Sequence, residues 1–248
     1  MVKAVVIRAA GTNCDYETMH CLKLVGFKPE LVHVNEFVRK KKKLSEFSML
    51  VVPGGFSYGD YMGSGKVFAN KFSLKMNKDV TDFISKGNLV LGICNGFQVL
   101  VKAGILPGFN GNYNKQQTTL TFNNSGRFQD EWVKINTVKK NNSIFSKGIE
   151  SISCPINHGE GKFIPESKDV LKKLNANGQV VFKYEQNPNG STDDIAGISD
   201  QTGRVLGLMP HPEKHFTSQN SPLSTRIDLK EEGEGMQLFR NAFEYLKK

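Results

Sequence analysis

The chain has 248 residues, 38% of them hydrophobic, and a formal net charge of +9. That length fits one large α/β domain or two small ones, and no apolar stretch approaches the roughly 20 residues of a membrane span. Cys14, Cys21, Cys94 and Cys154 form neither a CxxC pair nor a metal-type spacing, which argues against a disulfide scaffold and against a metal site.

Lys3–Arg8 reads as a first strand, entered without a signal-type apolar core, so a cytoplasmic location is expected. Asp15–Gly26 reads as a helix closed by glycine, with Cys21, Leu22 and Val25 on one face. Cys14 and Cys21 are read as packing or surface residues. Glu30–Val34 is a second strand, its His33 read as satisfied by local hydrogen bonds. The basic run Arg39–Lys43 has no interleaved aromatics and reads as a solvated loop rather than a nucleic-acid patch. Ser48–Val52 is a third strand, closed by Pro53-Gly54-Gly55. One helix is predicted over Val67–Lys86 and ended by Gly87, followed by the apolar strand Asn88–Leu91 and a helix opening near Phe97. Short apolar strands alternating with helices predict an α/β fold, a mostly parallel central sheet flanked by helices on both faces. Ligands of such a sheet bind beyond the carboxyl ends of its strands.

From about Asn112 the texture changes. Thr118–Phe122, Trp132–Ile135 and Gln179–Tyr184 read as antiparallel or edge strands, which predicts a small additional antiparallel sheet. Arg204–Met209 is a late strand. Glu234–Lys247 is a terminal helix with Met236, Phe239, Phe243 and Leu246 at helical spacing, a stripe read as core. Neither a repeat nor a linker is visible, so a single domain over 1–248 is expected.

The chemistry starts at Gly92-Ile93-Cys94-Asn95-Gly96. Strand, sharp turn and helix in that order make a nucleophile elbow with cysteine at its apex. Small neighbours suit the strained apex, and a helix N-terminus favours thiolate. The base and its orienting acid are read from Met209-Pro210-His211-Pro212-Glu213. Prolines keep this stretch extended, so His211 and Glu213, two apart, point the same way. Cys94, His211 and Glu213 are thus the predicted catalytic triad. Two backbone N–H groups, of Gly55 and of Asn95, are the predicted oxyanion donors. The loop from Gly54 to Tyr61 lacks the GKS/T ending of a phosphate loop. These residues specify acyl transfer through a thioester and leave the acyl group open: amide, ester or peptide. A scaffold that has merely kept the fold is disfavoured by the intact triad.

Further blocks carry a resemblance. Gly54-Gly55-Phe56-Ser57-Tyr58-Gly59-Asp60, the stretch Leu91–Gln98, His158-Gly159-Glu160-Gly161 and Gly207–Glu213 resemble the class I, triad-type glutamine amidotransferases. Together with Gly11–Asp15 and Ser191–Gly197, they resemble within that class the glutaminase subunits of phosphoribosylformylglycinamidine synthase. The resemblance implies a flavodoxin-like fold and a Cys94 attack on the carboxamide of L-glutamine. It implies ammonia transfer to a large synthetase subunit that uses ATP and Mg, and a small accessory subunit besides. It also implies substrate contacts at Gln98, Asn157, His158 and Gly159, with no cofactor in this subunit and neither nucleic acid nor membrane as partner. One departure stands out: Met62-Gly63-Ser64 occupies the place where relatives often carry an arginine. The alternative kept open is a different Cys-His-Glu amidase or peptidase on a similar sheet.

Overall fold

A computed structural model describes residues 1–226 and 232–247. In chain order the elements begin with β1 (Lys3–Arg8), α1 (Asp15–Leu24), β2 (Lys28–His33), α2 (Val34–Val38), β3 (Met49–Val52), α3 (Lys66–Lys71), α4 (Asn77–Ser85), β4 (Leu89–Ile93) and α5 (Asn95–Lys102). They continue with β5 (Thr118–Thr121), β6 (Gln129–Thr137), β7 (Ser151–His158), β8 (Lys162–Pro165), α6 (Lys168–Ala176), β9 (Val180–Tyr184), β10 (Ile195–Ser199), β11 (Val205–Leu208) and α7 (Met236–Leu246).

The main sheet has nine strands in the order β2-β1-β3-β4-β11-β10-β9-β6-β7. Its first five strands are mutually parallel, and the pairings from β11 onward are antiparallel. A separate antiparallel pair, β5 with β8, forms the small second sheet. The strands around Trp132 and Gln179 therefore extend the main sheet instead of joining the small one. β11, the last strand in sequence, lies between the parallel and antiparallel blocks. Every residue of β3, β4 and β11 is buried, which is why these strands read as unbroken apolar runs.

The predicted helix Val67–Lys86 is divided. A wide π-type turn, Phe72–Met76, separates α3 from α4. Phe68, Phe72, Met76, Val80 and Ile84 are all buried and recur every four residues. At 3.6 residues per turn such a row drifts steadily off one face; the wide turn takes up the lag and returns Val80 and Ile84 to the core. Val34, expected to end the second strand, instead opens a short helix that runs to Val38, where no element was expected. His33 caps it, its Nδ1 accepting from the Asn35 N–H at 3.2 Å. In the basic run, Lys40 pairs with Asp79 at 2.6 Å and Lys42 with Glu30 at 2.5 Å, which fits a solvated loop. The terminal helix is one turn shorter than expected. Of the segment 214–233, residues 227–231 lie outside the described residues.

Candidate active site

Three neighbouring parallel strands deliver the predicted residues to one edge of the sheet. β3 ends at Val52 and leads to Gly54-Gly55, β4 ends at Ile93 and leads to Cys94, and β11 ends at Leu208 and leads to His211. Register places Val52 beside Gly92 and Leu208 beside Ile93. The crevice that the alternating pattern implied is therefore built from adjacent strand ends.

Cys94 has φ 50° and ψ −106°, a left-handed backbone that a side chain bears only under constraint. Its N–H donates to the Leu208 carbonyl at 2.8 Å, which pins the elbow to β11. A Cβ at Gly96 would lie 1.8 Å from the Val52 carbonyl oxygen, and one at Gly92 would lie 2.6 Å from Leu100. Both glycines are thus required by close packing on either side of the apex. The thiol is buried (4% exposed) and donates to the Asn157 carbonyl at 3.7 Å.

His211 and Glu213 are fully buried, with Nδ1 and Oε1 2.6 Å apart. The backbone route differs from the expected extended one: Pro212–Lys214 forms a single 3-10 turn. Proline fits the first position of such a turn because it has no N–H to satisfy there. The His211 N–H donates to the Pro155 carbonyl of β7 at 2.9 Å, which holds the turn in place. Burial opposes charge on the imidazole, but the Glu213 carboxylate, then the Cys94 and Cys14 thiols, outweigh it and hold the His211 pKa well above its ordinary value. Nε2 of His211 has no hydrogen-bond partner. The imidazole is thus aligned by Glu213, while the thiol rests on a carbonyl.

The predicted oxyanion donors flank this pair. Thr12 and Gly55 form an isolated bridge that uses the N–H groups of Asn13 and Phe56, leaving the Gly55 N–H outside it. Gly55 has φ +135°, and a Cβ there would lie 2.7 Å from the Asn13 nitrogen. Asn95 opens α5, so its N–H has no partner within the helix. Gly54 touches the base directly, since a Cβ on it would lie 2.7 Å from Cε1 of His211. Gly54→Ala should therefore lower catalytic turnover at least about tenfold with a small change in melting temperature; an unchanged rate would show that the imidazole tolerates displacement.

The four other predicted residues border the same region, mostly with their side chains already engaged. Gln98 donates to the Glu160 carbonyl at 2.7 Å and accepts from the Asn95 amide at 2.9 Å. The Asn157 side chain bonds Asp130 and Lys214, while its carbonyl receives the Cys94 thiol. His158 is buried, with Nδ1 3.2 Å from Asn123 Oδ1. Burial, then the charge on His211, lowers its pKa to about 4, so it is neutral near pH 7. Its ring fills the space a side chain at Gly161 would need, 2.2 Å away. The Gly159 carbonyl receives the Asn123 N–H at 2.9 Å.

Several residues escaped the sequence reading. Asn95 accepts from the Ser57 N–H at 3.2 Å and donates to Asp60 at 3.2 Å. Both Glu160 carboxylate oxygens lie 3.1 Å from the Ser64 nitrogen, and Lys102 lies 3.5 Å from Glu160. These contacts tie the loop 57–65 to α5 and to the His158–Gly161 turn. Tyr61 and Met62 project from that loop, 76% and 83% exposed. Cys14, read as a packing or surface residue, is a packed one: it is buried beside the dyad, where burial, opposed by His211, raises its thiol pKa. A separate cavity of about 1490 Å³, lined by Lys139, Asn142, Glu150 and Tyr245 among others, contains none of these residues.

Residues 1–246 match the CobB/CobQ-like glutamine amidotransferase domain. The chain is 42% identical to the phosphoribosylformylglycinamidine synthase subunit PurQ of Dehalococcoides mccartyi, covering 99% of this chain and 98% of that protein. It is 41% identical to the protein of the same name from Methanococcus maripaludis strain C7, again over 99% and 98%. A solved structure of PurLQS from Thermotoga maritima contains a chain with TM-score 0.79 and 31% identity, with 99% of both chains covered. No helix among the described residues is long and apolar enough to cross a membrane. Near-complete coverage at this identity, on a fold with Cys94, His211 and Glu213 at adjoining strand ends, makes the chain a member of the glutamine amidotransferase family and, within it, of the PurQ subunits of phosphoribosylformylglycinamidine synthase.

Proposed function

We propose that this chain hydrolyses L-glutamine to glutamate and ammonia and passes the ammonia to a synthetase subunit. That subunit makes formylglycinamidine ribonucleotide from formylglycinamide ribonucleotide and ATP. The observation that carries the reading is the buried His211–Glu213 dyad at the strand end adjoining the Cys94 elbow.

The thiol leaves the Asn157 carbonyl and turns toward His211 when glutamine arrives. Apo enzymes commonly hold such bonds long and tighten them with substrate. The thiol proton passes to His211 as sulfur attacks the carboxamide carbon, and the negative oxygen is met by the N–H groups of Gly55 and Asn95. Each such donor contributes about 3 kcal/mol to the transition state. His211 gives its proton to the departing ammonia, leaving a thioester on Cys94. It then takes a proton from water, whose attack releases glutamate and restores the thiol. Glu213 fixes the imidazole and stabilises its charged form. Gln98, Asn157, His158 and Gly159 border the glutamine site, with Gln98 anchoring the Glu160 turn there.

We read the chain as a single amidotransferase domain without a cofactor of its own; ATP and Mg act in the synthetase subunit, alongside a small accessory subunit. The four free thiols fit a cytoplasmic setting. The test is a glutaminase assay with and without the purified synthetase subunit. Glutamate release is expected to be slow alone and to rise when the subunit is added, with formylglycinamidine ribonucleotide formed from glutamine. An absence of glutamate in both arms would remove the assignment. Labelling of Cys94 by diazo-oxo-norleucine, blocked by glutamine, is expected and separates this reading from a peptidase.

A further inference from the structure

All four cysteines of the chain converge on one dyad, although the reaction needs only Cys94. Cys21 donates to the Glu213 backbone carbonyl at 3.6 Å. Cys154 is fully buried within the field of the same carboxylate. Cys14 comes nearest the functional atoms: its Sγ, a ring nitrogen of His211 and a carboxylate oxygen of Glu213 all lie within 4.8 Å of one another. These residues are 5%, 1% and 0% exposed. Independently of that clustering, Oε2 of Glu213 and Nε2 of His211 have no hydrogen-bond partner. Buried polar atoms of this kind call for a ligand or another explanation.

We propose that Cys14, His211 and Glu213 form an inhibitory site for a thiophilic divalent cation of the zinc type, which withdraws the base and its carboxylate from catalysis. Binding at this site stands apart from the glutaminase reading; inhibition rests on it.

One sulfur, one imidazole nitrogen and one carboxylate oxygen are donors zinc accepts together. Metal bonds of about 2.0–2.3 Å place neighbouring donors roughly 3.3–3.8 Å apart around a tetrahedral centre, so side-chain shifts of about 1 Å convert the observed cluster into a ligand set. A hard cation such as magnesium fits poorly, because it seeks several oxygens and retained waters. Charge also favours zinc: a thiolate and a carboxylate cancel a dication, so the occupied site buries no net charge. The Cys14 thiol proton leaves as the metal enters, and the ligating ring nitrogen must carry no proton. The ligand backbones are already fixed, with the Cys14 N–H on the Gly54 carbonyl at 3.2 Å and the His211 N–H on Pro155 at 2.9 Å. The Cys14 thiol itself lies 3.3 Å from Asn13 Oδ1. Cys94 also interacts with His211, and for that reason the binding test removes its thiol.

The test uses the full chain and zinc chloride alone. In a Cys94→Ser background, competition with a chromophoric zinc chelator should reveal one equivalent of bound zinc, and adding Cys14→Ser should weaken it by more than about tenfold. With Cys94 intact, zinc should suppress glutaminase reversibly, EDTA should restore it, and Cys14→Ser should need at least about tenfold more zinc for the same inhibition. Failure of the Cys94→Ser chain to bind zinc overturns the proposal. So does equal zinc affinity in that background with and without Cys14, which would place the metal on other residues. A chain that binds zinc through Cys14 but never releases glutamate would keep the site and remove the glutaminase assignment instead.

Discussion

Cys94→Ala should reduce glutamate release by about 10⁴-fold or more while leaving a folded chain. The nucleophile is the one group whose loss no neighbour replaces; the oxyanion N–H groups and bound substrate remain but have no covalent intermediate to stabilise. The structural cost is small. The substitution removes the sulfur with one weak S–H···O contact of 3.7 Å and keeps the Cβ at the same left-handed backbone. A loss of about 1 kcal/mol corresponds to about 2–4 °C in a chain of this size. A coupled glutamate assay and calorimetry on the same preparation check both halves. Cys14 makes the experiment sharper, because it is a second thiol beside the same imidazole. Its backbone is tied to Gly54 and not carried on an elbow, so it is not expected to substitute. Residual turnover that disappears only in the Cys14, Cys94 double variant would transfer the nucleophile's role.

Glu213→Gln should lower kcat by about 10²–10⁴-fold with little change in KM. The substitution keeps the shape of a fully buried side chain and removes the charge that supports imidazolium. Because the carboxylate is the largest influence raising the His211 pKa, the alkaline limb of the pH–rate profile should move to lower pH in the variant. Stability follows with a definite sign. A histidine whose native pKa is raised binds more protons folded than unfolded, so stability falls as pH rises. The dyad's contribution is complete below the unfolded imidazole value, near 6.5, and is lost as pH climbs through the raised native value. Glu213→Gln should flatten that decline in a plot of unfolding free energy against pH. An unshifted alkaline limb would mean that another group titrates there.

The parallel half of the sheet was legible because its central strands β3, β4 and β11 are buried on both faces and glycines mark their ends, as at Pro53-Gly54-Gly55 and at Gly87. The elbow was legible for a local reason, since Gly92 and Gly96 answer contacts within one turn of chain. β7 was missed because Ser151–His158 alternates polar and apolar residues and contains Pro155. β10 carries Gly197 at an irregular register, and α6 is lysine-rich with only Val170 and Leu174 buried. The π-type turn leaves a trace, a strict four-residue recurrence, that a helix reading absorbs without notice. At the site, the triad and its shared crevice were readable, but the contacts of the residues packed around them were not. Cys14 meets His211 across nearly 200 residues, and nothing near position 14 announces it. The engagement of Gln98 with Glu160, and of Asn95 with Ser57 and Asp60, likewise depends on how three separate loops converge.

The central place of β11 governs when the polypeptide acquires its reactivity. Translation must pass residue 208 before a continuous sheet exists, and residue 213 before the imidazole has its carboxylate. A nascent chain that has emerged only through the elbow exposes an ordinary cysteine, without a base or the strand whose Leu208 carbonyl fixes its angle. Ammonia release therefore waits for a late long-range closure, so that an unfinished chain on the ribosome does not squander glutamine.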